Sequence, residues 1–290
     1  MVEMHPQETG ACPQGPEFHQ RGEGESAIVY PVISRRSRGL SLGINLFPDR
    51  KVCTYRCPYC EVPVFCNPKA ELRPGMVEAG LRRFFASDWP LYAESFALKD
   101  ICLSGNGEPT CSPFFEESLH AIMKLRQEAV LPLVPTVLIT NSTGFLRDDT
   151  VRLIHGLADS LDLKVWAKLD GGNARFHSLL SGSFYAYEMI LEGIVQFSRF
   201  RPVILQTIIL VDSRSSWLLF DAEGYAMSIR HILDSGGQIS AIQLYTLARA
   251  PAESWPQALA DEEMRAIASK LTMLVGSLVR IECFGSQGEL

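Results

Sequence analysis

No stretch of this chain is apolar for long enough to cross a membrane. The longest run, residues 203–211 (VILQTIILV), carries Gln206 within it and falls well short of the roughly 20 residues that a spanning helix needs. An excess of positive charge is missing too. The 27 Lys and Arg face 33 Asp and Glu, for a net charge of -6, which argues against a surface coated for nucleic acid and leaves only a local basic patch. The opening residues, MVEMHPQETGACPQGPEFHQ, have neither the basic start nor the apolar stretch of a secretory leader, so the expected location is the cytoplasm, with no membrane partner. Internal repeats and low-complexity blocks do not stand out. With 47% apolar and 21% charged residues, wholesale disorder and fibrous architectures are excluded as well.

Residues 1–28 are rich in Pro, Gly, Gln and Glu and are expected to form a flexible N-terminal tail. Residues 29–290 read as one domain. Within it, short apolar runs alternate with helical periods. The runs are 40–47, 100–104, 135–140, 161–169, 203–211 and 239–247, and a final one, 278–284, ends the chain. The intervening helices carry apolar residues at spacings of three and four, as in Tyr187, Ile190, Ile194 and Phe197. Ser112-Pro113 reads as a helix start. Six strand–helix units predict a parallel sheet with helical crossovers, either an open partial barrel or a doubly wound sheet. Strands such as 203–211 are expected to be apolar on both faces. In both architectures a ligand site belongs at the C-terminal ends of the strands.

Eight cysteines are present, and three of them, Cys53, Cys57 and Cys60, are spaced C-x3-C-x2-C in the loop after the first run. Three thiolates so close converge on one metal centre. They are too few to close a tetrahedral zinc site or to ligate every iron of a four-iron cluster. An iron–sulfur centre would keep one iron open for a ligand. A zinc knuckle completed by Cys66, or a set of buried free thiols, is the alternative. After the second run comes SGNGEPT. Gly105 and Gly107 flank Asn106 and let the backbone approach a ligand, Glu108 offers a carboxylate to a cationic amine, and Pro109 stiffens the turn.

Together the CTYRCPYC loop and the Gly105–Pro109 turn resemble the radical S-adenosylmethionine (SAM) superfamily. SRRSRGLSLGINLFP, SGNGEPT and VWAKLDGG are similar to its branch of iron–sulfur oxidoreductase-like proteins related to the wyosine synthases that modify tRNA. The resemblance implies a partial (β/α)6 TIM-like barrel of parallel strands with outer helices. It implies a [4Fe-4S] cluster, ligated by Cys53, Cys57 and Cys60, that reductively cleaves SAM to a 5′-deoxyadenosyl radical. The radical abstracts hydrogen from a substrate that the sequence leaves unassigned. An external electron donor such as flavodoxin or ferredoxin would feed the cluster. Carried over by position, Tyr59 lies near the adenine, and Gly105, Asn106, Gly107, Glu108 and Pro109 hold the methionine amino end. Asn141 and Ser142 approach the ribose and carboxylate, where Ser142 replaces the family's Gly. Lys168 pairs with the carboxylate and Asp170 with the ribose hydroxyls. Gln206 is a further polar candidate or a satisfied core residue.

A wyosine-type enzyme acting on tRNA would use RNA as partner, with Arg35, Arg36 and Arg38 as a phosphate grip; a solvated face is the other reading. Such enzymes carry a second cluster bound upstream, where this chain has only Cys12. Tyr245, Thr246 and Arg249 are expected on the rim. His120, His155 and His177 have no partner at metal-ligand spacing. The remaining class is a non-catalytic zinc-binding module.

Overall fold

The computed structural model describes residues 27–290; Cys12 and all but two residues of the expected tail lie outside the described residues. Ala27 and Ile28, counted in that tail, are buried, and the first strand follows at once.

Eight strands form one curled, mostly parallel sheet, a half-barrel. They are β1 (Val29–Ser34), β2 (Gly39–Ile44), β3 (Leu98–Leu103), β4 (Thr136–Thr140), β5 (Leu163–Lys168), β6 (Val203–Ile208), β7 (Ile239–Tyr245) and β8 (Ile281–Phe284). They are ordered as in the sequence. Strands β2 to β8 run parallel, and β1 pairs antiparallel with β2 at the edge. The six expected runs supply β2 to β7 and the closing run 278–284 supplies β8, so β1 is the strand beyond them. β1 escapes the sequence pattern because Pro31 sits in its middle, which is tolerated on an edge strand that leaves one row of N–H groups unpaired.

Helices cover the convex face: α1 (Met76–Arg83), α2 (Trp89–Tyr92), α3 (Phe115–Gln127), α4 (Asp148–Leu157), α5 (Ala174–Ser181), α6 (Tyr187–Ser198), α7 (Ala222–Asp234) and α8 (Asp261–Val275). The apolar residues read from the helical periods face inward. Leu81, Leu119, Ile154, Ile194, Ile229 and Leu271 join Leu42, Leu103, Leu138, Val165, Leu205 and Leu244 of the strands in one continuous core. α3 starts at Phe115, later than the Ser112-Pro113 pair predicts, and Ser112 Oγ instead accepts from Phe114 N at 3.2 Å in the turn before it. The fifth run divides: β6 ends at Ile208, and Val211–Asp212 pairs with Trp217–Leu218 and Pro256–Gln257 in a small separate sheet.

The concave face departs from the expectation of apolar strands on both sides. Alternation along the strands turns Asp100, Lys168, Gln206 and Gln243 away from the helices, around a small apolar patch of Cys102, Val137 and Trp166. Gln206 Nε2 donates to Gln243 Oε1 at 2.8 Å, and Gln243 Nε2 donates to Glu282 Oε2 at 2.9 Å. Gln206 is thus bonded on both sides. The two edges of the sheet are joined by side chains. Arg38 of the β1–β2 turn pairs with Glu289 and with Glu282 of β8, and Arg35 donates to the carbonyls of Thr246 (2.9 Å) and Gly285.

Replacing Gln243 with Leu strips Gln206 Nε2 and Glu282 Oε2 of a partner in a largely buried setting. The expected cost is about 1–3 kcal/mol, seen as a lower urea midpoint at unchanged slope. An unchanged midpoint would mean that water reaches this face and replaces the amide.

Candidate functional site

The loop that carries the cysteines is pinned at several points. Arg56 N donates to Ser181 O at 2.8 Å, Ala252 N to Cys60 O at 2.8 Å, and Glu253 N to Pro58 O at 3.2 Å. Cys60 N closes a turn onto Cys57 O at 3.1 Å. Tyr55 and Tyr59 are buried on either side of Cys57. A Cβ on Gly182, whose φ is +55°, would meet Arg56 O at 2.6 Å, so the end of α5 needs glycine for this loop to pass.

Cys53, Cys57 and Cys60 are half-buried free thiols, while Cys66 is exposed. Among the described residues, no group of three or more His, Cys, Asp and Glu side chains is drawn together to hold a metal ion. The surroundings of the thiols nonetheless suit a sulfur-bound cationic centre. Cys53 Sγ accepts from Tyr55 N at 3.4 Å and Asn141 Nδ2 at 3.6 Å, and such donors stabilise a thiolate or a cluster sulfur. Burial pushes the Cys53 thiol up to about 11 and the Cys57 thiol up to about 12. Thiolates there need a bound cation to offset lost hydration.

The Gly105–Pro109 turn lies against this loop. A Cβ on Gly107 would stand 1.8 Å from Val52 O, and one on Gly105, at φ +142°, would stand 2.5 Å from Asn45 Oδ1. The glycines therefore admit the neighbouring chain. Asn106 is buried and ties the same two loops, its N donating to Asn45 Oδ1 and its Nδ2 to Phe47 O, both at 3.0 Å. Glu108, 2% exposed, has both oxygens engaged. Oε1 accepts from Thr110 N (3.2 Å), Thr110 Oγ1 (2.8 Å) and Thr140 Oγ1 (2.7 Å), and Oε2 accepts from Asn141 N at 2.7 Å. Burial pushes this carboxyl above its usual range even though every one of those bonds pulls it back. Asn45 is the partner that sequence reading passes over, because a lone polar residue at a strand end carries no motif; Thr110, inside SGNGEPT, and Thr140, beside Asn141, gain their role as donors to Glu108 only from the fold.

Beyond β4, Asn141 Nδ2 also donates to Thr54 Oγ1 at 2.7 Å. Ser142, where the resemblance expects Gly, adopts the left-handed conformation at φ +71° and donates from Oγ to Lys168 O at 3.0 Å. Lys168 and Asp170 are brought together at 3.3 Å. Asp170 accepts from Tyr59 OH at 2.6 Å and Ile208 N at 3.0 Å. Lys168 Nζ also donates to Tyr245 OH and lies 5.1 Å and 5.0 Å from the Tyr59 and Tyr245 rings. Burial alone would lower this ammonium, but Asp170 and Tyr245 outweigh it and hold it above its usual value. Gln206 accepts from Arg36 Nη1 at 2.9 Å.

A cavity of about 280 Å³ lies on the concave side, bordered by Tyr59, Cys60, Gly105, Gly107, Trp166 and Tyr245; Lys168 and Asp170 reach it through their contacts with Tyr245 and Tyr59. The Arg35–Arg38 run is not an open phosphate grip: each of the three side chains is turned onto the protein. His177 is buried on α5 between Tyr55 and Tyr187.

No family model matches the chain. A UPF0026 protein of Helicobacter pylori is 26% identical over 189 residues, which is 59% of this chain and 58% of that one. A UPF0026 protein of Synechocystis is 30% identical over 173 residues, 60% of each chain. The chain thus spans a little over half the length of the curated relatives it matches. A solved structure, a radical SAM methyltransferase from Sphaerobacter thermophilus, matches with a TM-score of 0.61 at 17% identity, over 90% of this chain and 70% of that one. The likeness is one of fold.

Glu108→Gln tests the role of the buried carboxylate. Its carboxamide has to turn an NH2 group toward N–H and O–H donors on one side or the other. The expected loss is about 1–3 kcal/mol, read as a lower Tm of the metal-free protein. An unchanged Tm would show that the turn is held by its backbone alone.

Proposed function

We propose that this chain is a radical SAM enzyme with one [4Fe-4S] cluster and a small-molecule substrate. The observation that carries the reading is the C-x3-C-x2-C loop after the first parallel strand, with Cys60 on a cavity that the Gly105–Gly107 turn also borders. The relationship to the solved radical SAM methyltransferase, through the shared fold, supports it. Cys53, Cys57 and Cys60 would hold the cluster. With SAM bound, such a cluster would supply the one-electron chemistry for hydrogen abstraction from the substrate.

The chain's own residues orient and shield. Lys168, fixed by Asp170 and Tyr245, holds the SAM carboxylate. Tyr59 presents its ring and backbone to the adenine and keeps Asp170 in place through its hydroxyl. Asp170 serves the ribose hydroxyls. Asn141 orders the first cysteine and Thr54. Glu108 acts by position: it locks the Gly105–Pro109 turn to the end of β4, so that the turn's backbone faces the methionine end. The side-chain staples between β1 and β8 narrow the open edge of the half-barrel beside the cavity. An external flavodoxin or ferredoxin is the expected electron donor.

Electron paramagnetic resonance on anaerobically reconstituted, dithionite-reduced protein tests the assignment. A four-iron signal that changes shape on adding SAM is expected; stoichiometric zinc without sulfide would overturn it in favour of the zinc module. Cys57→Ala should abolish iron loading and SAM cleavage while the circular dichroism spectrum stays that of the wild type, because the cysteine loop is pinned by backbone bonds to its neighbours. An insoluble variant would mark the centre as structural.

A further inference from the structure

Positive charge on the concave side is not evenly neutralised. Lys168 pairs with Asp170, Arg249 with Glu61, and Arg38 with Glu289 and Glu282. Arg35 and Arg36 both border the cavity, and among the described residues their hydrogen bonds go to neutral oxygens: two carbonyls for Arg35, and Gln206 Oε1 for Arg36. Asp100, a buried carboxyl that interacts with Arg36, accepts from Ser41 Oγ. Burial pushes it above its usual range, although Ser37, Ser41 and Arg36 pull the other way. Burial and the neighbouring Arg36 together lower Arg35 to about 10, against a smaller opposite pull from Tyr245. Two adjacent, partly buried guanidinium groups, with Asp100 interacting with Arg36 at a distance and, among the described residues, no carboxylate hydrogen-bonded to either, are costly. An anion between them would offset that cost.

Arg36 is also held for recognition. Its guanidinium lies 5.6 Å from the Trp166 ring centroid and 4.9 Å from that of Tyr245. Gln206 fixes one edge, and the oxygen of Gln206 is turned toward Arg36 because its NH2 is committed to Gln243. A planar fork fixed this way matches a carboxylate or phosphate group and loses little entropy on binding. Tyr245 links this end of the cavity to the other. Its hydroxyl accepts from Lys168, and its ring faces both cations.

We propose that Arg36, with Arg35 behind it, is the anchor for a small substrate bearing a carboxylate or phosphoryl group, whose body lies along Trp166, Ile139 and Ile208 toward Tyr245. The identity of the ligand as substrate rests on the radical SAM reading; the anion site rests on the arginines alone. A cavity of about 280 Å³ has the size of a small molecule.

The test uses the full chain without reconstituted cluster, at constant ionic strength. Benzoate and methyl phosphate are titrated separately by calorimetry, with tryptophan fluorescence followed in parallel. Saturable binding of one of them is expected, and which one binds tells the two acid groups apart. Arg36→Gln should weaken it about tenfold or more, and Arg36→Lys by less, since a point charge replaces the fork. If Arg36→Gln misfolds, Gln206→Leu serves instead: it keeps the charge, frees the guanidinium, and should weaken binding about threefold or more. Equal affinity in wild type and variant would overturn the proposal. So would binding of neither anion at millimolar concentration, or binding only of a polynucleotide. Anion binding without a SAM-responsive cluster signal would keep the site and remove the reaction. A SAM-responsive signal without anion binding would do the reverse.

Discussion

Glu108 accepts four hydrogen bonds with its two carboxylate oxygens, and much of the rim's shape follows from them. A buried carboxylate is tolerated only where its lone pairs are filled. Here they are filled by Thr110 in its own turn and by Thr140 and Asn141 at the end of the next strand. Two neighbouring strand ends are thereby fixed to each other. Asn141, held through its N–H, then turns its amide toward Cys53 and Thr54. The cysteine loop, the glycine turn and the end of β4 are thus joined in one hydrogen-bonded set. The cluster and cofactor of the proposed function would need such rigidity to be held in register.

A second layer of order lies along the concave face. Tyr59, Asp170, Lys168 and Tyr245 form one connected set, and Arg36, Gln206, Gln243 and Glu282 form another. The Tyr245 ring touches both. Hydrogen bonds chained in a low dielectric reinforce one another and leave each group few alternative orientations. The half-barrel also manages its open edges: guanidinium groups of Arg35 and Arg38 span from β1 to β8, where a closed barrel would have backbone pairing.

The parallel sheet was legible in the sequence because buried strands and amphipathic helices leave different periods, 2 and 3.6. β1 was not, since a proline interrupts it and its partner is known only from the fold. The concave polarity was hidden for a related reason. In VILQTIILV a single Gln206 looks like an interruption, and its meaning comes from Arg36 and Gln243, which lie 170 and 37 residues away in the chain. The cysteine spacing and the glycine turn were legible as motifs because their residues are contiguous. The function of those glycines was only half visible. Closeness to something could be read from the residue type, but Val52 and Asn45 as the close neighbours could not. The arginine run shows the same limit from the other side: three consecutive-looking charges suggest a surface, and the turn that carries them folds back onto the protein.

Ser142 shows how local strain and the site are joined. A non-glycine residue in the left-handed region costs on the order of 1 kcal/mol or more, and glycine would avoid that cost. The hydroxyl changes the balance, because it donates to the carbonyl of Lys168 on the adjacent strand. That bond fixes the backbone from which the Lys168 ammonium reaches Asp170 and Tyr245. A glycine at 142 would relax the turn but leave the end of β5 tied to its neighbours by one bond fewer. The strain is therefore retained where it helps to place the Lys168 ammonium against Asp170 and Tyr245.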